Sequence, residues 1–308
     1  MKKIVIWGVL SILLAGQVLA EELKIVIGLP AGSGPDVITR SVAAELSVNL
    51  GKSVVIENRA GASGGIAMEY VSRKENKNVL LVAVSENMMS YHLLYNKDYR
   101  KDFIAVAPIF KNDMVLVTSS KTPSIDFVTA VRTNPKFGSW GVGSNAHIAS
   151  LQFLDSVNLL NNAVHVPYRD FNNWYSDIYN KDLSFSFSTI PSTRAMFDTN
   201  KLKYIAVTSK QRSMQYPTIP TMKEVFGIDV VSIGWAAFYV NKDMPAADRL
   251  ALEQALQKTI SSKTVQDQIA NMGYQTWGKT TLKQFIEYVR EDTTNFEFIF
   301  AKYNIQSN

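Results

Sequence analysis

The sequence predicts an α/β fold built from two units, and three observations lead there. Short apolar runs alternate with segments of helical period. The runs are apolar on both faces, as in a mostly parallel sheet covered by helices. A glycine-rich turn follows one such run in each half of the chain. The 308 residues are 46% hydrophobic and 19% charged, enough for a sizeable core in one large domain or two ordinary ones. The chain has no cysteine, which excludes disulfides, thiolate metal sites, a cysteine nucleophile and a lipid anchored on cysteine. Its three histidines (His92, His147, His165) leave little for a metal centre. No cofactor is expected.

The elements follow in order. Lys2 and Lys3 precede an apolar run from residue 4 to 15, and Val18-Leu19-Ala20 has the small-residue pattern of a cleavage site. The segment 1–20 therefore reads as a secretory signal peptide cut after Ala20. Without it the net charge is +3, and no Lys/Arg run is dense enough for nucleic acid. Residues 24–29 (KIVIGL) form a strand, 30–35 (PAGSGP) a turn, and 36–50 a helix with Ile38, Val42 and Leu46 at steps of four. Pro35 sits where a first helical turn tolerates it, and Gly51 stops the helix. A strand at 53–56, a loop at 58–65 (NRAGASGG), a helix at 66–73 and a strand at 79–84 complete the first unit. In the second, a strand at 114–118 precedes a helix at 124–132, and a short strand at 137–140 runs into Gly141-Val142-Gly143-Ser144. A helix from Asn145 carries Ile148, Leu151, Leu154 and Val157. Strands follow at 164–166, 183–187 and 204–208, then a long one at 230–240 containing Trp235. Helices at 245–262, 265–272 and 282–303 close the chain, the last opening with Thr281 and Gln284 at capping-box spacing. With no Pro/Ser-rich linker, the chain is expected to cross between units on extended strands near Ser119 and Phe238.

Each motif has a functional and a plain reading. The turn PAGSGPD presents backbone N–H groups at a helix start, fit either for an anion or for an ordinary βα turn. It lacks the Lys-Ser/Thr pair of a phosphate loop. Gly138-Ser139-Trp140-Gly141-Val142-Gly143-Ser144 is the same device in the second unit, with Ser144 or Asn145 also able to cap the helix. Ligands of open α/β sheets sit at this end of the strands. Ser144 and His147 are not set in a G-x-S-x-G elbow, so His147 reads as a structural or ligand-contact residue. His165 is expected in the core or at its rim, and His92 has no evident partner. In Tyr168-Arg169-Asp170, Arg169 suits a carboxylate and Asp170 an amine, or both are solvated. Trp235 is expected to fill the core.

Together and in this order, PAGSGPDVITR (30–40), VVIENRAGASGGIA (54–67), YRKDFIAVAPI (99–109), GSWGVGSNAHIAS (138–150), HVPYRD (165–170), KLKYIAVTSKQR (201–212) and YPTIPTMKE (216–224) resemble the substrate-binding proteins of tripartite tricarboxylate transporters, the Bug (TctC-like) family of periplasmic solute receptors. The resemblance implies a two-lobed periplasmic binding protein fold (type II, Venus flytrap), two α/β domains joined by crossing strands. Domain 1 would be 21–118 plus 239–308 and domain 2 would be 119–238. It implies a ligand carboxylate held by backbone N–H groups, hydroxyls and waters. Carried onto this sequence, the binding residues are Pro30, Ala31, Gly32 and Ser33 in the first loop, with Ser139, Gly141, Gly143, Ser144 and His147 in the second. Ser85 and Asn87 follow the third strand, Tyr168 and Asp170 lie on the next loop, and Ser188 and Thr189 edge the cleft. The family usually has glycine where this chain has Asp170, so Asp170 is expected to select a ligand carrying an amine or another donor.

The expected function is that of a periplasmic receptor for a small carboxylate or amino-acid-like ligand. It would be a monomer serving membrane permease subunits or a sensor kinase. One alternative is a secreted hydrolase or transferase using Ser144 and His147. Another is an envelope interaction protein whose cleft holds no ligand. Ser144→Ala separates receptor from enzyme. A receptor loses about 1 kcal/mol of affinity, whereas an enzyme loses orders of magnitude in turnover.

Overall fold

The computed structural model describes residues 22–213, 216–230 and 232–306; the proposed export segment 1–20 lies outside them. Two sheets share one strand. In the first, β1 (Leu23–Ile27) lies parallel between β2 (Val54–Asn58) and β3 (Leu80–Val84). Beyond β3, β9 (Ile233–Asn241) runs antiparallel, and β4 (Phe103–Ser119) pairs antiparallel with β9. In the second sheet, β4 pairs with β7 (Phe185–Thr189) on one side and β8 (Leu202–Val207) on the other, both antiparallel. There β5 (Lys136–Ser139) lies parallel to both β7 and β6 (Val164–Pro167). The α/β alternation read from the sequence is thus present in two lobes.

The 17-residue β4 corrects the strand expected at 114–118 alone. From Phe103 it pairs with β9 as far as Asp113↔Ile233, skipping Val106 and Ile109, and Met114↔Thr189 begins the pairing with β7. The changeover therefore falls between Asp113 and Met114 rather than near Ser119, and β9 joins the first sheet from Ile233 rather than near Phe238. The early half was unreadable because its alternation is broken by register shifts at Ala105/Ala107 and Pro108/Phe110. Pro108, which argues against a strand interior, sits beside the second of these bulges.

Helices cover both faces of the first sheet. The period of two along β1 sends Ile25 and Ile27 to one face and Val26 to the other. The first face packs on α1 (Gly34–Leu50) through Ile38, Val42 and Leu46, and on α10 (Ala246–Ile260) and α11 (Lys263–Asn271). Gly51 ends α1 in the left-handed conformation. The second face packs on α2 (Gly65–Ser72) and α12 (Leu282–Lys302), whose Thr281–Gln284 capping box forms as expected. The short helices α3 (Ser85–Met89) and α4 (Tyr91–Tyr95) had no signal long enough to read. Trp235 fills the core as expected.

The second lobe is built around aromatic residues. Phe137, Phe153, Phe185, Phe187 and Trp174 are all fully buried there, with α5 (Phe127–Thr133), α6 (Asn145–Ser156), α7 (Phe171–Asn180), α8 (Ile190–Asp198) and α9 (Met222–Phe226) around the sheet. Ile148 of α6 packs instead with the first lobe, so α6 bridges the two. A Cβ added to Gly138 would lie 2.2 Å from Trp174 Nε1 and 2.8 Å from Leu183 Cδ1. Gly138→Ala is therefore expected to lower stability by about 1–3 kcal/mol through overpacking. A fall in the urea midpoint at unchanged slope would show this; an unchanged midpoint would refute it.

Candidate functional site

Turns leave the C-terminal ends of β1, β2 and β3 in one lobe and of β5, β6 and β7 in the other. After β1, Asp36 is almost fully buried in α1 and organises the turn. Its Oδ2 accepts the Gly32 N–H (2.8 Å) and Arg40 Nε (3.0 Å), and its Oδ1 accepts Asn58 Nδ2 (2.9 Å). Despite desolvation, these bonds hold the Asp36 carboxyl below the usual range. Pro30, Ala31 and Gly32 are exposed and Ser33 is half-buried. The donors are fewer than four residues suggest. Pro30 has no N–H, Gly32 gives its N–H to Asp36, and Ser33 gives its N–H to Pro30 O at 3.3 Å. Ala31 N–H and the Ser33 hydroxyl remain, and Ser33 Oγ has no partner among the described residues.

The turn after β2 is backbone under strain. Ala62 (φ 46) and Ser63 (φ 50) are consecutive non-glycine residues in the left-handed region. Asn87 clamps them: its Nδ2 donates to Ser63 O (2.8 Å) while its Oδ1 accepts Val84 N–H (3.0 Å). Asn87 thus spends its amide on backbone. Beside it Ser85 is fully buried, accepting from Asn145 Nδ2 (2.9 Å) across the lobes and donating to Glu86 Oε2 (3.2 Å).

In the second lobe, Ser139 is fully buried and ties its own turn. Its Oγ lies 3.0 Å from Gly141 N, 2.9 Å from Gly141 O and 2.7 Å from His165 Nε2. Gly141 (φ 144) and Gly143 (φ 74) carry the backbone through conformations that side chains avoid. Ser144 caps α6, accepting His147 N–H (3.2 Å) and donating to Gly141 O (2.7 Å). The Gly143 N–H donates to His147 Nδ1 (3.1 Å), which assigns the ring proton to Nε2. The Ser144 hydroxyl is therefore not paired with an imidazole base, which removes the hydrolase arrangement expected as an alternative. The His147 and His165 rings stack at 4.2 Å.

The remaining expected residues are dispersed around these turns. Tyr168 is half-buried, its hydroxyl bonded to Asp177. Asp170 is exposed and caps α7, accepting Asn173 N–H at 2.8 Å. Ser188 is fully buried against the Tyr175 hydroxyl (3.0 Å), and Thr189 caps α8.

Three residues escaped the sequence reading. Glu86 stands between two named positions, an acid directly after a strand end, and that placement was the available signal. Asn145, 1% exposed, crosses to Ser85. Tyr274 lies where a Gly34 side chain would point, its hydroxyl 2.1 Å from the Cβ that Gly34 lacks. Nothing in sequence spacing connects residue 274 to residue 34.

The model described as "Tripartite tricarboxylate transporter family receptor" matches residues 38–305. Among solved structures, the chain is similar to the periplasmic binding protein BugD (TM-score 0.79, 20% identity, 93% of this chain and 99% of that one). It is similar to Rpa4515 of R. palustris solved with adipate (0.82, 20%, 93% and 98%). It is also similar to MatC (Rpa3494) of Rhodopseudomonas palustris solved with malate (0.77, 18%, 90% and 98%). These likenesses carry the two-lobed periplasmic binding protein fold.

Burial pulls His147 down to about 3, with His165 beside it adding to the effect, and burial pulls His165 down to about 4. Unfolded imidazoles take up protons near pH 6.5, whereas these stay neutral well below it. Below pH 6.5 the unfolded chain therefore binds more protons, and the histidines' contribution declines as pH falls towards 3–4. Half-buried Glu86, Asp113 and Asp292 are shifted upward by desolvation and act with the opposite sign. The comparison is thus made between wild type and His147→Gln. Its expected outcome is a stability advantage of wild type that shrinks by up to about 1.4 kcal/mol per pH unit from pH 6 to 4.5. Parallel urea-stability curves would contradict it.

Proposed function

As the chain belongs to the tripartite tricarboxylate transporter family of receptors, we propose that it captures a small carboxylate-containing molecule between its two lobes. It is a solute-binding receptor rather than an enzyme. One observation carries the ligand reading: each lobe presents a turn at the C-terminal edge of its sheet, shaped by side chains of the chain itself. Asp36 and Asn58 set the first turn, and Ser139 with the two histidines sets the second. Fixed N–H and O–H donors suit a carboxylate leaving water, because neighbouring side chains already set their orientation. The adipate and malate carried by two similar solved proteins support that ligand class.

In this reading the protein works in the periplasm, as a monomer, after export by a segment cut at Ala20. The two domains expected from the sequence, 21–118 with 239–308 and 119–238, then have their boundaries moved to the sheet changeovers at Asp113/Met114 and Ile233, with β4 and β9 as the hinge. A ligand touching both lobes favours the closed state by its extra contacts there. Permease subunits, or alternatively a sensor kinase, would then receive the closed form.

The test is thermal unfolding of ligand-stripped protein against carboxylates, amino acids and aromatic acids. A bound ligand at about 100 times its Kd adds roughly 2.7 kcal/mol, a shift of several degrees. Ser33→Ala is expected to weaken that ligand by about 1 kcal/mol, or roughly fivefold. No shift from any acid would defeat carboxylate capture and leave the reading of an envelope protein with an empty cleft.

A further inference from the structure

Glu86 opens α3 at the end of β3 and reaches across the crevice to the other lobe. Its Oε1 lies 3.5 Å from Asn145 N, a long contact, and its Oε2 accepts the Ser85 hydroxyl at 3.2 Å. The Trp140 indole N–H and its own backbone N–H also face it, and half-buried Asp292 of α12 adds a second negative charge nearby. No lysine or arginine is among these groups. Asp292 in turn accepts Trp235 Nε1 at 2.9 Å.

Proton counting exposes a second acceptor. Ser85 has one hydroxyl proton and gives it to Glu86, so it must accept from Asn145 Nδ2. That fixes the Asn145 amide and leaves its Oδ1 buried without a partner among the described residues. A half-buried carboxylate and a buried carbonyl therefore stand at the same lobe contact, and the carbonyl lacks a donor. An orphaned acceptor of this kind is costly unless something supplies a proton.

We propose that Glu86 and Asn145 Oδ1 receive the ammonium group of the ligand, making this a receptor for amino-bearing carboxylates rather than plain dicarboxylic acids. The proposal rests on carboxylate capture as set out above. An ammonium offers three donors and one positive charge, matching what this contact lacks. Burial, which pushes the Glu86 carboxyl above its usual range, would be offset by that charge. Asp170 meets this requirement less well, since it is exposed and one of its oxygens already caps α7.

The experiment measures Kd by calorimetry for matched pairs that differ only in the amine: aspartate and succinate, glutamate and glutarate. The expected result is that at least one amino-bearing member binds tenfold or more tighter than its plain partner. In Glu86→Gln that ratio should narrow by about tenfold or more. Equal Kd values within every pair in the wild type would overturn the proposal while leaving carboxylate capture intact. So would a preference that survives Glu86→Gln. Binding of neither member of any pair, nor of any other acid, would overturn both. The wild-type comparison decides on its own if Glu86→Gln does not fold.

Discussion

A single strand must satisfy hydrogen bonding in two sheets, and the architecture follows from how it does so. Along Phe103–Ser119 the partner changes from β9 to β7 between Asp113 and Met114. Extended backbone, not a loop, thus joins the lobes. Half-buried Asp113 sits at the changeover, where Gln275 Nε2 donates to its carboxylate at 2.7 Å and the Lys111 and Gln275 backbones bond to each other. Because the sheets meet there, the turns at their C-terminal edges face one crevice. The bulges before the changeover add twist, which turns the second sheet relative to the first.

The crevice is prepared by polar groups that bond mainly to each other. Asp36 spends both carboxylate oxygens on the first turn, Asn87 both ends of its amide on the second, and Ser139 its hydroxyl on the third. Consecutive left-handed residues such as Ala62 and Ser63 persist only where the surroundings hold them, and the Asn87 clamp does so. Residues of this kind shape a site without contacting its ligand. Among the described residues, Ala31 N–H and the Ser33 hydroxyl stay unspent on the first turn, and Asn145 Oδ1 has no partner beside Glu86 between the lobes. Selectivity in a site with few open groups depends on the sign of each.

Charge is distributed unevenly around this contact. Glu86, Asp292 and Asp113 are all pushed up by burial, while the stacked histidines opposite are held neutral. A neutral imidazole pair shapes the second-lobe turn without adding positive charge that would compete for a carboxylate. The lobes also meet through apolar and neutral contacts: Ile148 packs with the first-lobe core, and Ser90 Oγ donates to Gly143 O at 2.6 Å. These contacts join α6 and the turn before it to the first lobe.

The sequence by itself determined the α/β class, the alternation in two units, the glycine-rich turns at strand ends and the Thr281 capping box. Each is written in spacing over a few neighbouring residues: Ile38, Val42 and Leu46 at steps of four, Pro35 before a helix and Gly51 after it. The motifs also carried the family, because several weak segments in a fixed order are specific together. Only the tertiary structure decided where β4 changes sheets, since bulges and Pro108 erase the alternation that would have marked it. It alone decided which named residues spend their polar groups on holding a turn. Ser85, Asn87 and Ser139 all lie at strand ends, yet their polar groups are engaged by partners up to 60 residues away. Hydrogen-bond partners at such separations leave no local pattern, so the role of Glu86 and the unpartnered Asn145 Oδ1 become visible only when the lobes are brought together.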